Sequence, residues 1–85
     1  MFRKLESRLS PEAYETLSQL TYAEQLFLAE ELDLFCAVPY RELYRHEIID
    51  SELVYEVSAG ARVLAHIMVA EDEGVAVVLR IDLLA

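Results

Sequence analysis

Tryptophan is absent from this sequence, cysteine occurs once, and glycine and proline occur twice each. The single cysteine, Cys36, cannot close an internal disulfide, so the fold has to be held by its core and fits a reducing compartment. So little glycine and proline excludes a flexible linker, a low-complexity stretch or a collagen-like repeat. No apolar run approaches the roughly 20 residues that cross a bilayer. The basic start, Met1 to Arg8, leads into no apolar core of a signal peptide. A cytoplasmic protein of the producing or infected cell is expected, without membrane association.

Bases are missing from a longer stretch. Between Leu9 and Tyr40 there is no lysine or arginine, against the acids Glu12, Glu15, Glu24, Glu30, Glu31 and Asp33. The whole chain carries 16 acids and 7 bases, a net charge of −9. Phosphate binding depends on Lys and Arg, so direct nucleic-acid binding is not expected. An acidic field steers instead toward a basic protein surface, such as that of a nucleic-acid-binding protein. The same acids also keep a small apolar domain in solution.

What is present is a core. Hydrophobic residues make up 55% of 85 residues, which excludes disorder and suits one domain, 1–85. Ser10-Pro11-Glu12 reads as a helix start, with a capping serine, proline in the first turn and an acid where the helix dipole favours it. Ala13, Leu17 and Leu20 continue it to about residue 20, and Phe2, Leu5 and Leu9 suggest a short helix before it, over 2–9. Thr21-Tyr22-Ala23-Glu24 is a capping box, so a second long helix is expected over 22–36. Its rows Ala23/Phe27/Leu34 and Leu28/Leu32/Phe35 form a broad apolar face interrupted by Glu24 and Glu31. Pro39 stops it, and Tyr40 to His46 suggests a further helical turn or two.

Beyond that the apolar period changes from about 3.6 to 2. Strands are expected over 49–58, 62–71 and 75–84, with turns at Ala59-Gly60 and Glu71–Gly74. Both faces of this meander are apolar, since Val54, Leu64, Met68, Ala76, Val78 and Leu84 lie opposite the first set. Two helices cover one face, so the other predicts a homodimer through the sheet or a pocket for a different partner.

Chemistry-bearing residues are sparse. Arg41-Glu-Leu-Tyr-Arg-His46 has the arginine–histidine spacing of HEPN-type ribonucleases, but that fold is all-helical and strands follow here. His66 sits mid-strand without a second ligand at metal spacing, Cys36 lacks an evident base, and Glu71-Asp72-Glu73 lacks the alternation of a calcium loop. Neither a metal nor a cofactor is expected.

The stretch His46-Glu-Ile-Ile-Asp-Ser-Glu-Leu-Val-Tyr-Glu-Val57 resembles the central strand region of the RelE/ParE/YoeB toxin superfamily. The resemblance implies two helices followed by antiparallel strands. Departures accompany it. That family opens on a strand, whereas this chain opens with helical signals, and its ribonucleases place basic and aromatic catalytic residues near the end of the last strand. Here that region reads Arg80-Ile-Asp-Leu-Leu-Ala85, and the chain is acidic where those toxins are basic. The implied outcome is a retained scaffold without nuclease activity.

Together these readings predict an α+β domain, two or three N-terminal helices on a three-stranded antiparallel meander, that is not an enzyme. Its expected role is an acidic protein-binding antagonist of the phage or mobile-element type, an anti-CRISPR protein or nucleic-acid mimic. Glu12, Glu15, Glu24, Glu30, Glu31 and Asp33 would engage the basic target. The alternative is a RelE/YoeB-like toxin–antitoxin component or degenerate ribonuclease toxin, with Arg41, Arg45, His46 and Arg80 as the candidate ribonuclease residues.

Overall fold

The computed structural model describes residues 3–39 and 41–84. Phe2 of the expected first helix, Tyr40 of the expected helical turn, and Ala85 lie outside them. The elements run β1 (Glu6–Leu9), α1 (Pro11–Leu17), α2 (Tyr22–Ala37), β2 (Arg45–Ile49), β3 (Glu52–Ser58), β4 (Val63–Ala70) and β5 (Val75–Leu83). Short 3₁₀ turns at Arg41–Leu43 and Glu71–Glu73 join α2 to β2 and β4 to β5.

Both helix starts form as their local chemistry dictates. Ser10 Oγ accepts from the Ala13 amide at 3.0 Å with Pro11 in the first turn. The Thr21 amide donates to Glu24 Oε1 at 2.8 Å, and the Glu24 amide donates back to Thr21 Oγ1 at 3.1 Å. Helix α1 ends earlier than expected, because Ser18, Gln19 and Leu20 donate to carbonyls three residues back and tighten the chain into turns.

Glu24 does more than cap. Arg62, at the entry to β4, grips its carboxylate with Nε at 2.7 Å and Nη2 at 2.9 Å. The Arg62 hydrogen bonds, followed by the Thr21 amide, pull the Glu24 pKa from 4.5 down to about 2. A carboxylate depressed on folding contributes stability above its unfolded pKa and loses it as pH falls through the folded value. Urea midpoints of the native chain should therefore drop between about pH 4.5 and pH 2. Glu24→Gln should flatten that limb, and an identical acid profile in the variant would refute the assignment.

The sheet is mixed and five-stranded, in the order β1-β5-β4-β3-β2, and this corrects the expected three-stranded antiparallel meander. Two misreadings account for the difference. The segment expected as a helix over 2–9 is strand β1 where described, lying parallel to β5 with Glu6 opposite Val75 and Leu9 opposite Val78. The Glu6 amide donates to Gly74 O and the Ser10 amide to Val78 O, each at 2.9 Å. Long-range pairing overrides the four-residue spacing of Leu5 and Leu9, which is too short to sustain a helix. The expected strand 49–58 is instead the second arm of a hairpin, β2–β3, whose turn residues Asp50 and Ser51 take φ of 50° and 68°. Such left-handed turns favour Asn, Asp and Gly, and the Asp-Ser pair is a weaker signal than Asn-Gly.

Both helices lie on one face of the sheet. Leu28, Leu32, Phe35 and Cys36 of α2 pack with Ala13 and Leu20 over Val57, Ala65, Ile67, Ala76, Val78 and Ile81. Of the two apolar rows read on α2, the one containing Leu28, Leu32 and Phe35 is buried, while Ala23, Phe27 and Leu34 face outward. The other sheet face carries Glu56, His66, Met68, Val77 and Arg80 and has no helix over it. A bulge at His66/Ile67 sets Arg80 opposite His66 and Val78 opposite Ile67, so Leu79 is the extra residue of β5. No described helix is long and apolar enough to cross a membrane.

Candidate functional site

An open groove of about 1020 Å³ lies between β1 and the two helices. Leu5, Leu28, Leu32 and Cys36 form its buried floor, and Leu9 and Leu17 are half-buried within it. Tyr14, Tyr22 and Leu26 stand on its walls, with Tyr22 75% exposed. Lys4, Arg8 and Asp33 stand on the rim, where Lys4 pairs with Asp33, and Arg8 lies 3.7 Å from Glu6. Because β1 is a terminal strand, its outer edge has no neighbour in the sheet among the described residues. Burial in this floor pushes the Cys36 thiol pKa up, which suits a packing residue and not a nucleophile.

The helix-free face holds a second arrangement. In register across four strands stand Arg45, Glu56, His66 and Arg80. Arg45 Nε is 3.9 Å from Glu56 Oε1, and Arg80 Nε is 3.4 Å from Asp82 Oδ1. His66 is 6% exposed, with Nε2 2.7 Å from Asp82 Oδ2, where a ring N–H donates to the carboxylate, while Nδ1 is covered and without a partner. A hollow of about 270 Å³ beside it is lined by Ile49, Val54, Met68, Leu79 and Arg80 among others.

The candidate ribonuclease residues do not converge. Arg41 is buried in the turn after α2, 3.2 Å from Glu71 Oε1 and 5.7 Å from the Phe35 ring centre. His46 falls on the helix side of the sheet, with Nδ1 3.0 Å from the Tyr44 carbonyl, whereas its neighbour Arg45 faces the other way. Arg45 and Arg80 share the open face, each beside a carboxylate. Among the described residues no three His, Cys, Asp or Glu side chains group closely enough to hold a metal ion.

The six acids of the base-free block are not gathered on one surface. Glu24 is held by Arg62 and Asp33 by Lys4. Glu12 borders the hollow on the open face, while Asp33 borders the groove beside the helices. Glu15 and Glu30 are exposed, and Glu31 is half-buried beside Tyr44, whose pKa is raised by burial and then by that carboxylate.

The groove escaped sequence reading because its walls come from three separate elements. Tyr14 sits in the middle of α1 and Tyr22 at the start of α2, where nothing in the local pattern marks them as neighbours of β1.

No protein-family model matches the chain, and no curated protein matches it by sequence. Solved structures do match. A chain of the archaeal RelE–RelB complex from Pyrococcus horikoshii OT3 superposes with a TM-score of 0.75 at 15% identity, over 95% of this chain and 96% of that one. A chain of the toxin–antitoxin complex RelBE2 from Mycobacterium tuberculosis gives 0.71 at 14% identity, over 95% and 99%. These neighbours overturn the expected anti-CRISPR or nucleic-acid-mimic inhibitor and share the fold that the toxin–antitoxin alternative implied. The dispersed acids, two of them engaged within the chain, are the physical counterpart of that correction. The opening strand β1 also removes one of the departures noted from the sequence. In fold, the chain resembles the RelE/ParE toxin superfamily, as residues 46–57 suggested.

Proposed function

We propose that this chain is the RelE-fold member of a toxin–antitoxin pair, that it works by holding a partner protein chain, and that it lacks ribonuclease activity. The groove between β1 and the helices carries the reading. An apolar floor flanked by exposed tyrosines and a leucine, beside an unpaired strand edge, is the surface a soluble protein keeps for a partner. Both solved neighbours are toxin–antitoxin complexes, which supports a protein partner here.

The proposed lack of nuclease activity rests on six of the seven bases. Lys4, Arg8, Arg41, Arg45, Arg62 and Arg80 each lie within ion-pair distance of an acid. A phosphate reaching Arg45 or Arg80 would sit beside Glu56 or Asp82, whose negative charge opposes it.

Co-expression with the product of the adjacent reading frame, followed by sizing, tests the partner. Incubation of the purified chain with RNA tests the chemistry. A stable heteromeric complex and intact RNA are expected. A chain that stays alone under co-expression, or RNA cleavage lost on Arg45→Ala or Arg80→Ala, would refute the proposal.

A further inference from the structure

At the edge of the sheet opposite β1, strand β2 is terminal, and none of its residues Arg45–Ile49 is buried. Ile48 is 75% exposed, and Leu43, just before the strand, is 86% exposed. A free strand edge flanked by apolar side chains is a template for another strand.

The hairpin register fixes what this edge offers. With Ile49 opposite Glu52 across a two-residue turn, the backbone groups of Arg45, Glu47 and Ile49 pair inward with β3. Those of His46 and Ile48, and the Tyr44 carbonyl, then point out of the sheet. An antiparallel strand on this edge must set outward-pointing residues opposite one another, which leaves few registers for two copies related by a two-fold axis. An axis at Arg45 puts arginine against arginine, and one at Glu47 puts glutamate against glutamate. An axis at Ile48 shortens the overlap and leaves Arg45 without a counterpart.

The axis at His46 behaves differently. Arg45 then faces Glu47 of the second copy, and by symmetry Glu47 faces the second copy's Arg45, both on the open face. Tyr44 meets Ile48 on the other face. The stretch Tyr44-Arg45-His46-Glu47-Ile48 is therefore complementary to itself read backwards.

We infer that β2 pairs antiparallel with β2 of a second copy about His46, joining the two sheets in a homodimer. Reciprocal His46–His46 backbone bonds and Ile48 amides donating to Tyr44 carbonyls close the ladder. The Tyr44 carbonyl exchanges its contact with the His46 ring for one of these amides. Glu47 lies opposite Val54 in its own chain and gains a guanidinium, while Arg45 is bracketed by Glu56 and the second copy's Glu47. Leu43, Ile48 and Leu53 lose water as the flanks close. The inference stands apart from the groove, which lies along the far edge of the sheet.

Charge exchange tests it. The intact chain at high micromolar concentration should sediment at twice 9.7 kDa. Arg45→Glu alone and Glu47→Arg alone each set like charges together twice per dimer, and each should weaken association by at least about tenfold and run as a monomer. Mixing the two variants sets two carboxylates on one chain against two guanidiniums on the other, and the dimer should return as a heterodimer. Ile48→Asp, which removes the contact with Tyr44, should also be monomeric. A native chain that sediments at 9.7 kDa, a single variant that stays dimeric, or a mixture that stays monomeric overturns the assignment.

Discussion

Replacing Phe35 with alanine is expected to lower the unfolding free energy by about 3–5 kcal/mol, the usual cost of emptying a large core position. Phe35 is fully buried and sits edge-on to two other rings, Tyr44 at 5.0 Å and Tyr55 at 5.4 Å between centres. Each such aromatic pair is worth about 0.5–1.5 kcal/mol beyond the buried area. The ring also carries the Arg41 guanidinium above it. One side chain thus joins α2 to β3 and to the turn that leads into β2. A domain of this size has about 5–15 kcal/mol in total, so the variant should be partly unfolded at physiological temperature. Urea unfolding should show a lower midpoint at unchanged slope. Phe35→Leu, which keeps most of the volume, should lose less. Equal midpoints for Phe35→Ala and the native chain would show that the core is centred elsewhere.

Placing charge on the groove walls should have the largest effect on partner binding. Tyr22→Glu with Leu26→Glu is expected to weaken the complex with the partner chain by at least about 100-fold, since central aromatic and aliphatic anchors are worth about 2–4 kcal/mol each. Both side chains are exposed in the free chain, so the unfolding free energy should move by no more than about 0.5 kcal/mol. Titration of the two proteins by calorimetry measures the loss. Undiminished affinity in a folded double variant would move the partner off this surface and remove the main support for the proposed function. Self-association through β2 should be untouched, because Tyr22 and Leu26 lie on α2 and line the groove beside β1.

What the sequence disclosed and what it hid divide by distance along the chain. Helix starts at Ser10 and Thr21 were legible because cap, proline and glutamate act within three residues of one another. The alternation of Val63, Ala65, Ile67 and Val69 was legible because a buried sheet face leaves period two in the strand itself. β1 was not, because its partner is β5, and the bond from Ser10 Oγ to the Leu79 carbonyl spans 69 positions. Nor was the hairpin turn, since Asp50 and Ser51 take left-handed backbone without glycine. The acidic block is legible as composition, whereas the contacts of its members are not. Nothing local announces that Arg62 will hold Glu24 or that Lys4 will hold Asp33. The resemblance over residues 46–57 pointed to the right fold, although that stretch proved to span β2 and β3 instead of a single strand.

The parallel pairing of β1 with β5 also orders events in time. β1 is made well before its partners Val75 to Val78, which are added some seventy residues later. At roughly 5–20 residues per second, the first strand waits several seconds with no edge to join. The wall that β1 gives the groove is therefore missing from any nascent chain that stops short of β5. A partner that grips that wall discriminates chains that carry β5 from fragments that lack it, and a ribosome-stalled chain ending before Val75 should leave it unbound.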